Sequence, residues 1–351
     1  MHILHLTPYM GLGGTERHIL NLISQSMARG YEISLACPPG EGLKGVPPKV
    51  RIHALENWSM RKCLASAAAL KKIALRIGGE VDLIQVHAAA EMAYLTKKYL
   101  PDKPVIFTCH GYNTHPPILN YWLASRFLKK IDCLIALTLE EKQYFLRGDI
   151  PGKRVVVIPN GVESRFFDTP HSRMKNGRVV GLVGRLVKEK NFAWAIKAQA
   201  RYRFASRLLI VGDGPLRNRL ERQVRGLGLE KEVTFLNYQE EMERIYPLFS
   251  YLLIPSRKEA FALVILESLA AGVPVLVPQW LSGVKDFYGS APGVVVFKGG
   301  RDLKEKVEKD EGKKERGEIQ RFAHDFLWEN VFPQYEELYS RILARSSVLW
   351  V

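Results

Sequence analysis

The stretch IPSRKEAFALVILESLAAGVPVLVP places two carboxylates around the start of one helix. An apolar run closes at Pro255, a loop follows, and the pattern predicts a helix from about Leu263 to Ala271, ended by Gly272. Glu259 precedes the helix, and Glu267 lies just inside it, flanked by Val264, Ile265, Leu266 and Leu269. A loop carboxylate can accept hydrogen bonds from sugar hydroxyls. One inside the helix can reach a ribose, while the helix N-terminus offers free N–H groups to a diphosphate. A carboxylate on so apolar a helix is costly to leave unpaired, so a ligand or a partner is expected. An ordinary salt bridge would satisfy that requirement equally.

Three further segments carry candidate chemistry. In VGRLVKEKN, Arg185 and Lys190 follow a glycine at the end of an apolar run. Arg as a planar fork and Lys as a point charge can hold two phosphates, and solvated surface charges are the plain alternative. TPYMGLGGTERHI reads as a glycine-rich turn entering a helix, where Gly11, Gly13 and Gly14 let a ligand approach the backbone. TCHGY places His110 at the carboxyl edge of a predicted parallel strand, where open α/β sheets bind ligands. VGDGPLR is one more tight turn, with a structural reading as good as a functional one.

These segments sit at the ends of short apolar, β-rich runs that alternate with helical patterns. HILHL, ISLAC, VRIHAL, DLIQVH, PVIFTCH, CLIALT and RVVVIP fill the first half; RVVGLVG, RLLIVG, EVTFL, YLLIPS, VPVLV and GVVVF fill the second. Continuous apolar runs suit parallel strands covered on both faces, and the alternation implies βαβ units. So many strands exceed one ordinary open sheet, which predicts two doubly wound α/β domains, 1–170 and 171–330, with the seam near IPNGVESRFFDTPHSRMKNGR. A long amphipathic helix is expected from about Glu318 to Ala344, carrying Trp328, Phe332, Tyr335 and Tyr339.

The 351 residues and 47% apolar content suit a globular chain able to bury a core in each half. The opening residues lack the basic n-region of a signal peptide, and no run approaches the ~20 apolar residues of a membrane span. A cytoplasmic location is expected. Cys37, Cys63, Cys109 and Cys133 are scattered among apolar residues and predict buried free thiols. The net charge of +15 divides as 21 Lys/Arg against 14 Asp/Glu in residues 1–172 and 30 against 22 in the rest. With no basic tail, a nucleic-acid arm is disfavoured; an anionic ligand or membrane surface stays open.

In order along the chain, GGTE, HGY, IPNGV, GRLVKEKN, GDGPLR, EAFALVILESLAAGVPV and FLWENVFPQYEELY resemble the retaining glycosyltransferases of the GT-B fold, the group that includes glycogen synthase and sucrose synthase (glycosyltransferase family 4). The resemblance covers nearly the whole chain. It implies two Rossmann-like domains facing a central cleft, with residues 331–351 crossing back onto the N-terminal domain. It implies a nucleotide-sugar donor, a UDP-sugar by preference, and a saccharide or lipid-linked acceptor. Gly13 and Gly14 would close over the phosphates, and His110 would contact the transferred sugar. Arg185 and Lys190 would stabilise the leaving diphosphate. Glu259 would bind the sugar, Glu267 the ribose, and Tyr238 would lie near the base. Phe261, Ala262, Leu263 and Val264 would line the diphosphate, the last two through their N–H groups. Ala260 and Ala262 stand where the family usually has glycines, which makes the loop under the sugar more crowded.

No D-x-D triplet occurs and the His and Cys residues show no metal-ligand spacing, so neither a metal nor another cofactor is expected. A dinucleotide oxidoreductase would need G-x-G-x-x-G, which is absent. A GT-B nucleotide-sugar epimerase and a non-catalytic sugar- or lipid-binding relative are the remaining rivals. The acceptor reading favours lipopolysaccharide- or exopolysaccharide-type envelope synthesis, with a soluble sugar or sugar-phosphate acceptor as the alternative. Residues 59–77 and the stretch YWLASRFLKK read as basic amphipathic segments able to meet an anionic membrane face, or simply to pack on the sheet.

Overall fold

The computed structural model describes residues 1–55, 63–111, 125–169, 177–312 and 314–348. All thirteen apolar runs form strands, and every strand pair is parallel. In the first half these are β1 (His2–Leu6), β2 (Glu32–Cys37), β3 (Arg51–Ala54), β4 (Leu83–His87), β5 (Val105–Thr108), β6 (Cys133–Ala136) and β7 (Val155–Val157). They assemble in the order β3-β2-β1-β4-β5-β6-β7. The helices among the described residues are α1 (Gly14–Ala28), α2 (Cys63–Ile77), α3 (Ala90–Tyr99) and α4 (Leu139–Arg147). Leu4, Leu6, Ile84, Val86 and Phe107 of the sheet share one core with Leu70, Ile73 and Ile77 of α2 and Met92 of α3.

The second half repeats the scheme. β8 (Val179–Val183), β9 (Arg207–Val211), β10 (Val233–Leu236), β11 (Tyr251–Leu253), β12 (Val275–Pro278) and β13 (Val294–Phe297) run in the order β10-β9-β8-β11-β12-β13. Helices α5 (Phe192–Tyr202), α6 (Arg217–Gly226), α7 (Leu263–Ala270), α8 (Ser282–Tyr288), α9 (Gly300–Glu308) and α10 (Arg316–His324) connect and cover them. Val180, Leu182, Leu208 and Ile210 form the core with Phe192, Ile196, Leu220 and Val224. In both sheets the first strand has the second on one side and the fourth on the other. The crossovers therefore part company there and leave a crevice at the strands' carboxyl ends.

The chain divides into two units, residues 1–161 with 329–351, and 162–328. The expected single terminal helix is two: α10 stops at His324, and α11 (Trp328–Val348) begins after a break. The break has a cause within the second unit. Val162 donates its N–H to Phe326 O (2.8 Å), and Trp328 N–H returns to Val162 O (3.2 Å), which pulls Leu327 into a bridge instead of a helical turn. From Glu329 onward α11 belongs to the first unit. Tyr335 and Tyr339 are buried, Tyr339 OH donates to Gln85 Oε1 (2.5 Å), and Glu336 meets Arg29 and Tyr31.

Cys37, Cys109 and Cys133 are buried free thiols; the Cys63 side chain lies outside the described set. Of the two basic stretches, residues 56–62 and 121–124 lie outside the described residues. In α2, Leu70, Ile73, Ala74 and Ile77 are buried while Lys71, Lys72, Leu75 and Arg76 are exposed, so the apolar stripe packs within its own unit.

Candidate functional site

The second unit gathers most of its candidates at the carboxyl ends of the neighbouring strands β8 and β11. Gly184 leaves β8 at φ +144°, and a Cβ there would press on the Lys190 stem at 3.4 Å. The VGDG turn is the support beneath it. A Cβ on Gly212 would meet Gly184 O at 2.1 Å, and Leu186 N–H donates to Asp213 O at 2.8 Å. This turn is thus structural: its glycines let two backbones touch. Asn191, in the left-handed region at φ +55°, donates its side-chain amide to Pro255 O (3.0 Å), and Arg257 N–H donates to Glu189 O (2.8 Å).

That stitching brings together two residues far apart in sequence. Lys190 Nζ lies 2.6 Å from Glu259 Oε1, an oxygen that also accepts from Ser256 Oγ at 2.6 Å. Trp280 Nε1–H fixes the same loop through Ser256 O (3.1 Å). The pair is largely but not wholly shielded, with 24% and 11% of the two side chains exposed. Charge at such a place is worth more than on an open surface. Arg185, next in the chain after Gly184, is exposed.

Helix α7 begins at Ala262, which holds φ +56°, ψ +66°. The N–H groups of the first turn, those of Leu263 and Val264 among them, have no partner within a helix and are available to an anion. Glu267 is 2% exposed, and its Oε2 accepts from Tyr246 OH at 2.6 Å. A tyrosine hydroxyl is thus one partner of the buried carboxylate. Phe261 is buried against Phe287 and Tyr288. Tyr288, not anticipated from the sequence, is fully buried with a hydroxyl that lacks a hydrogen-bond partner among the described residues. Burial raises its pKa well above the ordinary range, and Glu259 and Glu267 add to the shift. Tyr238 stands exposed just past the edge strand β10, with β9 between that strand and β8.

In the first unit the glycine turn joins β1 to α1. Gly13 is extended, at φ −156°, and a Cβ on it would strike the Glu16 carboxylate at 2.6 Å, whereas Gly14 has open space. Glu16 Oε1 accepts from Gly11 N–H (3.2 Å), so the chain supplies an anion of its own to this turn. Gly40 and Gly42 press against the Met10 and Gly11 carbonyls, a contact the sequence did not announce.

His110 does not stand alone. His5 Nδ1 lies 3.1 Å from His87 Nε2, and His87 Nδ1 lies 3.1 Å from His110 Nε2. His18 packs edge-on to His110 and also meets Tyr335 OH through Nε2 at 3.4 Å. Sequence reasoning passed over His5, His18 and His87. The available signal was that HILHL, LIQVH and VIFTCH each carry a histidine near the carboxyl end of an apolar run, and β1, β4 and β5 are adjacent. Burial drives these four imidazoles neutral. His5 and His18 fall to about 3; His87 and His110 fall well below 6.5, helped by neighbouring histidines. One nitrogen each from His18, His87 and His110 lies within 4.8 Å of the others, the one candidate metal-ligating group among the described residues. The fold thus assembles histidines whose spacing in sequence gave no such sign.

Two family models divide the chain between them. Residues 12–166 match Glycosyltransferase Family 4, and residues 164–317 match Glycosyl transferases group 1. The chain is a group 1 glycosyltransferase of the GT-B fold. It is 25% identical to an N-acetyl-alpha-D-glucosaminyl L-malate synthase of Bacillus anthracis, over 96% of each chain. It is 27% identical to a lipopolysaccharide core biosynthesis glycosyltransferase of Rhizobium meliloti, over 76% of this chain and 78% of that one. A Streptomyces coelicolor exopolysaccharide phosphotransferase shares 32% identity over 61% of this chain, which spans only 24% of that longer protein. An Anabaena structure, HepE with UDP and glucose, superposes with a TM-score of 0.80 at 18% identity, covering 97% of this transferase and all of that chain. Among the described residues no helix of the transferase is long and apolar enough to cross a membrane.

Proposed function

We propose that the transferase moves a sugar, with retention, from a nucleoside-diphosphate sugar, a UDP-sugar by preference, to a saccharide or lipid-linked acceptor of cell-envelope polysaccharide synthesis. The observation that carries the donor half is the Lys190–Glu259 pair beside the N-terminus of α7. In transfer, the bond between the anomeric carbon and the diphosphate oxygen breaks and a bond to the acceptor oxygen forms. The acceptor's proton is released, and negative charge grows on the departing diphosphate. Lys190, Arg185 and the N–H groups of Leu263 and Val264 meet that charge, the largest electrostatic task of the reaction. Glu259 takes hydrogen bonds from sugar hydroxyls and Glu267 from the ribose, while Phe261 and Ala262 line the diphosphate. Tyr238 lies toward the base. Gly13 and Gly14 are assigned to the phosphates, and His110 to the sugar. No metal is needed for this charge balance, so activity survives EDTA; complete loss with EDTA, restored by manganese, would refute it. A screen of nucleotide sugars for slow donor hydrolysis, then of acceptors with the best donor, tests the whole reading.

The full-length relative that makes a glucosaminyl malate supports a second reading, a small soluble acceptor. Sedimentation with vesicles separates the two. The exposed Lys71, Lys72 and Arg76 face of α2 predicts binding to anionic vesicles that salt and charge reversal weaken, about 1 kcal/mol per basic residue near the surface. No sedimentation at low salt would favour the soluble acceptor.

A further inference from the structure

His5, His87 and His110 form a two-link chain of nearly parallel rings, with centroids 5.4 Å apart at each step and interplanar angles of 25° and 29°. Each link joins two imidazole nitrogens, and a neutral imidazole carries one N–H and one lone pair. Two links in series therefore allow only two proton arrangements. In one, His5 Nδ1–H donates to His87 Nε2 and His87 Nδ1–H donates to His110 Nε2. His110 then keeps its own proton on Nδ1, and His5 Nε2 is a bare lone pair. In the other, every proton sits on Nε2; His110 presents a lone pair at Nδ1, and His5 buries an N–H.

The far end of the chain decides between them. Among the described residues His5 Nε2 is buried with no hydrogen-bond partner. An orphaned buried N–H is rarer in folded proteins than an under-used acceptor, which points to the arrangement that leaves no proton there. We propose that His5 and His87 are positioning residues that hold His110 in its Nδ1–H form, so that His110 meets the sugar nucleotide as a hydrogen-bond donor and not as a base. This rests on the reading of His110 as a contact of the transferred sugar. A free imidazole prefers its proton on Nε2, so the Nδ1–H form must be imposed by a neighbour, and His87 Nδ1 is the group in place to impose it. A neutral donor suits a reaction in which negative charge develops on the leaving group, because it offers a proton without needing to be charged first. The device belongs to the sheet: His5 lies in β1, His87 ends β4, and His110 follows β5, three strands adjacent in the order β1-β4-β5.

The test is the tautomer itself, read from nitrogen-15 shifts of labelled histidine at neutral pH, with each ring assigned by single substitution. His110 should carry its proton on Nδ1 in the unmodified protein. His87→Leu should move it to Nε2 and lower kcat about tenfold with the donor KM kept, the pattern of an interaction felt in the transition state. His87→Asn, whose amide can still donate, should restore the Nδ1–H form and most of the rate; it also guards against a fold lost in the leucine variant. An Nε2–H His110 in the unmodified protein, or a tautomer indifferent to His87→Leu, would overturn the proposal. So would tight cobalt binding with a ligand-field spectrum from His87 and His110, since a metal would take the same nitrogens. Full turnover in His110→Ala, with the tautomers as stated, would refute the sugar contact and leave the chain standing.

Discussion

The two units build their strand-end edges from one topology and opposite chemistry. At the β8–β11 edge the side chains are charged and paired, Lys190 with Glu259, beside a helix N-terminus. At the β1–β4–β5 edge they are imidazoles stripped of charge by burial. Under the proposed function, this difference would divide the reaction's electrostatics between the two edges. On that reading the second unit would meet a ligand that is already anionic, while the first would offer orientation and neutral hydrogen bonds.

The comparison breaks most sharply at Lys190. Lys190→Ala should lower turnover by at least about 100-fold, as the loss of one key electrostatic donor does elsewhere. Glu267→Ala should chiefly raise the donor KM, since a ribose contact acts equally in ground and transition states. Wild-type steady-state rates in both purified variants would end the assignment of the second unit to the donor.

Acid should separate the units next. His5 and His18 bind protons in the unfolded chain below about 6.5 but resist them in the fold until about 3, so stability is complete above 6.5 and is lost as pH falls. Glu141 acts oppositely. Burial lifts its carboxyl to about 7, so its contribution is present at low pH and lost as pH rises from 4.5 through 7. Between 4.5 and 6.5 the slopes of His5 and His18 outweigh the single opposing carboxyl slope, so acidification costs stability there. His87 and His110 push in the same direction as His5 and His18. Hydrogen exchange followed down that range should show amides of the first unit losing protection before those of the second; simultaneous loss would remove the distinction.

How far each edge was legible in sequence follows from the same contrast. The strands were plain because parallel strands covered on both faces are largely continuous apolar runs, as VVGLV is. Arg185, Lys190 and Glu259 were visible as charged residues just past such runs. Their pairing was not, because it depends on Asn191 and the Gly184 turn, which fix a geometry that spacing does not encode. The histidine chain was hidden more deeply. Its members are scattered along the sequence, and only the β1-β4-β5 order makes them neighbours. The break between α10 and α11 was invisible because its cause, Val162, lies far away in the chain.

Tyr288 tests whether the second unit carries an uncompensated group beneath its charged edge. Its hydroxyl is buried without a partner among the described residues, and such a group costs about 1–3 kcal/mol of desolvation. Tyr288→Phe keeps the ring contacts with Phe261 and Phe287 and removes only the oxygen. Thermal or denaturant unfolding should show the variant more stable by about 1 kcal/mol. A loss of stability would mean that the hydroxyl is satisfied after all.

The smallest effect is expected at Ala262, where the two edges differ in backbone rather than charge. Gly13 opens α1 in an extended conformation open to any residue, whereas Ala262 opens α7 at φ +56°. The left-handed region costs a residue with a Cβ roughly 1–2 kcal/mol. Glycine would relieve that, but its freer unfolded chain returns about 0.4–1 kcal/mol of the gain. Ala262→Gly should therefore stabilise the protein by about 0.5 kcal/mol, from the difference of those terms. A stability change alone would say that the alanine is tolerated strain. The sharper readout is donor preference in the same variant, because Ala262 precedes the N–H groups proposed to hold the diphosphate. If its methyl group narrows the space under the sugar, Ala262→Gly should accept bulkier donor sugars with little change in nucleotide affinity. An unchanged donor profile, with nucleotide binding also intact, would show that the alanine does not select the sugar and that its strained backbone serves only the entry into α7.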